Sequence, residues 1–185
     1  MNKERIAALV RELLVEIGED PRREGLARTP ERVAAAYEFL TSGYRTDLKD
    51  VINDAVFKAE ANNMVLLKNI EVYSLCEHHM LPFFGACHIG YIPRKKVLGV
   101  SKLARIVDCH ARRLQIQERL TAQIAGDIMD AIKPEGVGVV MECRHLCMCM
   151  RGVEKQESVM TTSSVLGSFH HNAATRAEFL GLAGK

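Results

Sequence analysis

Residues 64–93 read MVLLKNIEVYSLCEHHMLPFFGACHIGYIP. β-Branched and large apolar residues crowd the first part, which predicts a strand ending near Cys76. Phe84 to Tyr91, continued by Ile92 and closed by Pro93, reads as a second strand, with PRKK as its polar exit. Two adjacent strands suggest a hairpin. Its connection, Cys76-Glu77-His78-His79, is chemically unusual for a turn.

Toward the N-terminus, Ile6, Leu9, Val10, Leu13, Leu14 and Ile17 recur at helical spacing and predict a helix over residues ~3 to 18. The polar hinge GEDPRREG follows. In ARTPERVAAAYEFLTSGY, Thr29 reads as an N-cap, Pro30 as the first helical position and Gly43 as the stop. Toward the C-terminus, Ser101 reads as the cap of a helix striped by Leu103, Ile106, Val107, His110 and Leu114. Gln117 to Ile132 forms a second helix through Leu120, Ile124 and Ile128. GVVMECRHLCMCMRG then reads as a strand, with a last strand around Ser158 to Ser164 and a closing helix from Ala173 to Leu182. The order predicts an α+β chain: a helical region over 1–50, then a domain over 51–185 with an antiparallel four-stranded sheet packed against two helices. Four strands leave two open edges, which invite pairing between subunits.

Composition narrows the function. Lysine and arginine total 25 against 23 acidic residues, a formal charge of +2, which argues against a broadly cationic nucleic-acid binder. Charges interrupt the opening MNKERIAALVRELLVEIGED every few positions, unlike a signal-peptide core. No stretch has the uncharged length that spans a bilayer, so a cytoplasmic protein without membrane partners is expected. The six cysteines then read less as a disulfide framework than as metal ligands or buried thiols.

Cys76 and His79 stand in the C-x2-H relation that lets one turn present sulfur and imidazole to one ion. If ECRHLCMCMRG is a strand throughout, Cys143, His145, Cys147, Cys149 and Arg151 share one face, with Met148 and Met150 on the other. One of these cysteines could complete a Cys/His/Cys zinc site with a position open for water, and parity does not choose between Cys147 and Cys149. Packing of small apolar thiols is the plainer alternative. His78 and His145 could serve outside the ligand set as proton carriers. His88 and His110 read as core histidines, and His170 and His171 as a surface loop pair.

Lys102 and Arg105, three apart near a helix start, share a face that would suit phosphate, and Arg112, Arg113 and Arg151 extend the basic surface. The sequence has neither a P-loop nor a G-x-G-x-x-G fingerprint. Gln117 and Glu118 offer an amide and a carboxylate suited to a purine edge bearing N–H donors.

Taken together, CEHHMLPFFG, HIGYIPRKKVLGVSKLARIV, RRLQIQERLT, HLCMCMRG and TTSSVLGSFHHNAATRAEFL closely resemble the GTP cyclohydrolase I family, and GLARTPERV extends the likeness over nearly the whole chain. The resemblance implies Zn2+ held by Cys76, His79 and Cys147, and catalytic roles for His78, His145 and Ser101. It implies that Glu118 grips guanine with help from Gln117, and that Lys102, Arg105, Arg151 and, on a looser match, Arg32 bind the triphosphate. The implied reaction converts GTP and water to 7,8-dihydroneopterin triphosphate and formate, the first step of tetrahydrofolate and pterin biosynthesis. The implied fold is the tunnelling fold, assembled as a homodecamer of two stacked five-membered rings with sites at subunit interfaces. Two competing readings are an NADPH-dependent nitrile reductase on the same fold, which would need a catalytic thiol and no C-x2-H pair, and a zinc-stabilised scaffold that binds a purine nucleotide without turnover.

Overall fold

A computed structural model of the chain describes residues 1–184. It divides into two compact units, Met1–Ser42 and a larger one beginning at Gly43. The first holds α1 (Lys3–Glu16) and α2 (Thr29–Leu40). Asn2 caps α1 by accepting the Arg5 N–H at 2.9 Å. α1 and α2 are joined by the exposed ion pairs Lys3–Glu38 and Arg11–Glu31. Thr29 is not the cap of α2: Arg28 holds that place, and the Thr29 hydroxyl turns back to the Gly25 carbonyl at 3.5 Å.

After a 3-10 turn (Ser42–Arg45), the larger unit runs through α3 (Leu48–Ile52), β1 (Val56–Lys58), β2 (Val65–Cys76), β3 (Pro82–Ile92) and β4 (Lys96–Leu98). Then come α4 (Val100–Ala111), β5 (Leu114–Gln115), α5 (Gln117–Ile132), β6 (Gly136–His145), α6 (Leu146–Cys149), β7 (Met160–Gly167), α7 (Ser168–His171) and α8 (Ala173–Ala183). α3, which straddles the expected break at residue 50, packs Leu48, Val51 and Ile52 against the core of this unit. Gly43 is needed less as a helix stop than for space: its N–H reaches the Arg112 carbonyl at 3.0 Å, and a Cβ there would lie 2.2 Å from the Cys109 carbonyl oxygen. Ser101 lies inside the first turn of α4, whose cap is Gly99.

The expected antiparallel strands β2, β3, β6 and β7 are present in that spatial order, but the sheet has a fifth member. β5 adds two residues parallel to the end of β2, pairing Leu75 with Leu114 and Cys76 with Gln115. β1 and β4 make a separate antiparallel pair. α4 and α5 cover one sheet face through Leu103, Ile106, Leu120, Ile124 and Ile128, all buried. α7 and α8 cover part of the other face with Phe169 and Phe179, which pack edge to face at 5.4 Å. There Gly90 and Gly138 face each other across β3 and β6, and a Cβ on either would lie 2.7 Å from the Phe179 ring.

β2 changes phase midway. Val65 and Leu67 pack toward α4 and α5, and so do Ile70 and Val72, although an unbroken strand would send the two pairs to opposite faces. A register shift between Leu67 and Ile70, with Asn69 at φ 57°, inserts the extra residue that keeps both halves apolar on the core side.

β6 stops at His145, short of the strand expected through Arg151. Its last β3 partner is Phe83, and the residue before that is Pro82, which has no N–H to offer. Past this point the backbone satisfies itself locally in α6, where the Met150 N–H reaches the Leu146 carbonyl at 3.1 Å. Cys147 and Cys149 therefore do not continue the Cys143 face. Cys143 points into the core, 1% exposed.

Candidate active site

The end of β2, the start of β3 and the end of β6 lie at the same end of the sheet, as the pairs Leu75–Pro82 and Phe83–His145 require. The connection after β2 curls tightly: the Met80 N–H bonds the Cys76 carbonyl at 2.8 Å, and the Cys76 N–H bonds Leu81 at 2.9 Å. Met80 adopts φ 55° to close the curl. His79 is thereby brought back beside Cys76, while α6 delivers Cys147 from the other side. The ligand atoms of Cys76, His79 and Cys147 all lie within 4.8 Å of one another, a group that could hold a metal ion. Cys149 is not in this group; its thiol is directed to the Gln156 carbonyl at 3.8 Å.

The donor set fits a cation. Burial, and then the neighbouring Cys76 thiol, push the Cys147 thiol above its ordinary range, while Arg151 pulls the other way. A positive ion between the two sulfurs would reverse that repulsion. Arg151 lies close by, its Nη1 3.4 Å from His79 Nε2, and His78 Nδ1 is 3.8 Å from the Cys76 sulfur.

His145 is held more firmly. Its ring stacks on Phe83 at 4.6 Å with planes 5° apart, and its Nε2 lies 2.8 Å from Gln117 Oε1. Burial lowers its pKa from the ordinary imidazole value, against an opposing pull from the Glu118 carboxylate. Glu118 is thus electrostatically coupled to His145 and exposed at the start of α5. Gln117, by contrast, is only 1% exposed. Its amide nitrogen reaches Met141 O at 3.0 Å, Met160 O at 2.9 Å and Thr162 Oγ1 at 3.1 Å.

Ser101, Lys102 and Arg105 occupy the first two turns of α4, an element that carries none of Cys76, His79 and Cys147. The helix keeps Lys102 and Arg105 one turn apart, but their exposures differ. Lys102 sinks beside Leu103 and Ile106 to 6% exposure, whereas Arg105 is exposed. Arg32 is exposed on α2 of the first unit. His88 is buried and accepts the Asn69 N–H at 3.5 Å, His110 is buried against Asp127, and His170 and His171 sit on α7.

Sequence reasoning missed Phe83 and a second polar link. Arg119 pairs with Glu77 of the curl and donates from Nε to Gln115 Oε1 at 3.0 Å. The Gln115/Arg119 spacing of four was the available signal. Phe83 gave none, because only the β3–β6 register places it under His145.

Two thiols and an imidazole at one end of a helix-backed sheet define an α+β protein with a group that could hold a metal ion, beside a half-buried histidine. The GTP cyclohydrolase I family model matches residues 6–184. Proteins named GTP cyclohydrolase 1 from Methylococcus capsulatus and Leptospira biflexa are 62% and 58% identical to the chain, over 96% and 94% of it and 96% and 95% of their own lengths. A Coxiella burnetii protein of the same name is 56% identical over 97% of the chain and 98% of its own. The chain belongs to the GTP cyclohydrolase I family, and its fold is the tunnelling fold. Among solved structures, an archaeosine synthase QueF-Like protein in the apo form aligns over 58% of this chain and 97% of its own, with 20% identity and a TM-score of 0.47, too slight a likeness to weigh.

Proposed function

We propose that this protein opens the imidazole ring of GTP by hydrolysis, releases C8 as formate and rearranges the remainder to 7,8-dihydroneopterin triphosphate. The observation that carries this reading is the convergence of Cys76, His79 and Cys147 at the sheet end that also presents His145. Two thiolates and one imidazole suit Zn2+ and leave a fourth position for water. Bound there, zinc would supply the Lewis acidity that lowers the pKa of a water.

The chain's own residues do the rest. Glu118 accepts hydrogen bonds from the N–H donors of the guanine edge and so fixes the base. His145, its ring plane set by Phe83, delivers a proton to N7, which makes C8 more electrophilic. His78, with Ser101, moves protons at the ribose as it opens and rearranges. Lys102, Arg105, Arg151 and Arg32 bind the triphosphate. One water enters on ring opening, a second on deformylation, and one leaves on closure of the dihydropterin ring, so a single water is consumed overall.

Placement of Ser101, Lys102 and Arg105 on a separate element supports sites completed between subunits. Among the described residues, the outer edge of β7 and most of that of β2 have no partner strand, which supports edge-to-edge closure into five-membered rings and a homodecamer. None of the helices among the described residues is long and apolar enough to cross a membrane, and a net charge of +2 gives no nucleic-acid track, which supports a cytoplasmic enzyme of a small-molecule substrate.

Reduced, zinc-loaded protein given GTP labelled at C8 should release one labelled formate per dihydropterin formed. Absence of formate from a verified zinc-loaded oligomer that still binds GTP would leave the non-catalytic scaffold as the better reading.

A further inference from the structure

We infer that Gln117 is a positioning residue that fixes which ring nitrogen of His145 faces the substrate, and that its side chain is not a ligand of guanine. The inference rests on the proposed role of His145 and follows from an accounting of hydrogens. Met141 O and Met160 O can only accept, so the group of Gln117 that faces them is its NH2. The hydroxyls agree. Thr121 spends its proton on the Gln117 main-chain carbonyl at 2.7 Å, so in its 2.7 Å contact with Thr162 it accepts. Thr162 donates there and turns a lone pair toward the Gln117 amide nitrogen at 3.1 Å.

With the NH2 committed, Oε1 is the atom that meets His145, and an amide oxygen can only accept. The 2.8 Å contact therefore requires a hydrogen on His145 Nε2. The stack on Phe83, with planes 5° apart, holds the ring in the orientation that keeps this contact. Nδ1 is then the nitrogen through which the ring exchanges a proton with substrate. The proton given to N7 leaves from Nδ1, and the neutral ring that remains is the Nε2–H tautomer already held by Gln117. At 1% exposure, with both ends of its amide engaged, the Gln117 side chain has no group left for a purine.

A double-mutant cycle separates the two roles. Gln117→Met should lower kcat by about ten-fold or more, a part of the roughly 100- to 10,000-fold that a positioned acid contributes, while leaving KM for GTP and zinc per chain unchanged. Placed in a His145→Ala background, the same substitution should cost nothing further in kcat. A raised KM with unchanged kcat, or the full loss repeated without His145, would overturn the inference in favour of guanine binding. A second measurement needs no variant to fold well: the zinc-loaded protein labelled with 15N at histidine should show neutral His145, assigned by the signal lost in His145→Asn, protonated at Nε2. A neutral Nδ1–H form would refute the assignment. This spectrum requires no turnover, so its outcome is distinct from failure of the proposed reaction, which would show as absent formate from the unsubstituted protein.

Discussion

Cys147 and His145 stand two residues apart and should fail in different ways. Cys147→Ala removes one of three donors, so metal per chain should fall well below one together with formate release. His145→Ala should keep its metal and slow ring opening by about 100-fold or more, the contribution of a positioned acid. Full metal occupancy with activity in the first variant would show that Cys147 is not a ligand. The remaining thiols are sorted by burial. Cys87 and Cys143 are buried, and desolvation pushes their thiols up, that of Cys143 to about 12. A raised pKa means the reactive thiolate is scarce at pH 8. Native protein treated with iodoacetamide at that pH should therefore be unmodified at both positions, and both should react once it is unfolded. At this scale the C-x2-H pair was legible, because its chemistry is local. The choice of Cys147 over Cys149 was not legible from alternation, which assumes that β6 keeps running; it stops where Pro82 ends its ladder. The burial of Gln117 was equally hidden, since it depends on β7 arriving beside α5.

Among the elements, α5 follows its expected helical spacing closely, and the β2–β3 hairpin falls where β-branched and large apolar residues crowd. The phase change in β2 does not show in the pattern, because Val65, Leu66 and Leu67 are apolar in succession and fit either face. Only Asn69, at a left-handed φ, marks the place. Asn69→Gly should be nearly neutral there, whereas Asn69→Val should cost roughly 1–2 kcal/mol, the penalty for a side chain forced into that region. Equal stability of the two variants in urea unfolding would remove the bulge from the explanation. Gly90 and Gly138 are a further case in which pairing decides. Each looks like an ordinary strand-weakening glycine in sequence, yet together they open the slot that receives Phe179. Gly138→Ala should overpack this slot and lower stability by about 1–3 kcal/mol, and Phe179→Leu in the same chain should recover part of the loss.

For the whole molecule, the strand edges of β2 and β7 and the metal group make separate demands. Native mass measurement should give a multiple of the chain mass, ten for the proposed assembly, and dilution that yields single chains should abolish formate release. Chelation should lower the thermal midpoint, because an ion bound only by the folded chain stabilises it by about 2.7 kcal/mol at a hundred times its Kd. The donors come from the two ends of the stretch from Cys76 to Cys147, which contains β3, α4, α5 and β6. They meet only after β3 has paired with β2 on one side and β6 on the other, in register. An ion held by all three is thus a certificate of correct topology: a chain with a slipped strand has two half-sites and nowhere to place the metal. Metal content would count well-formed molecules as well as active ones, and quality control in the cell would have a chemical mark to read.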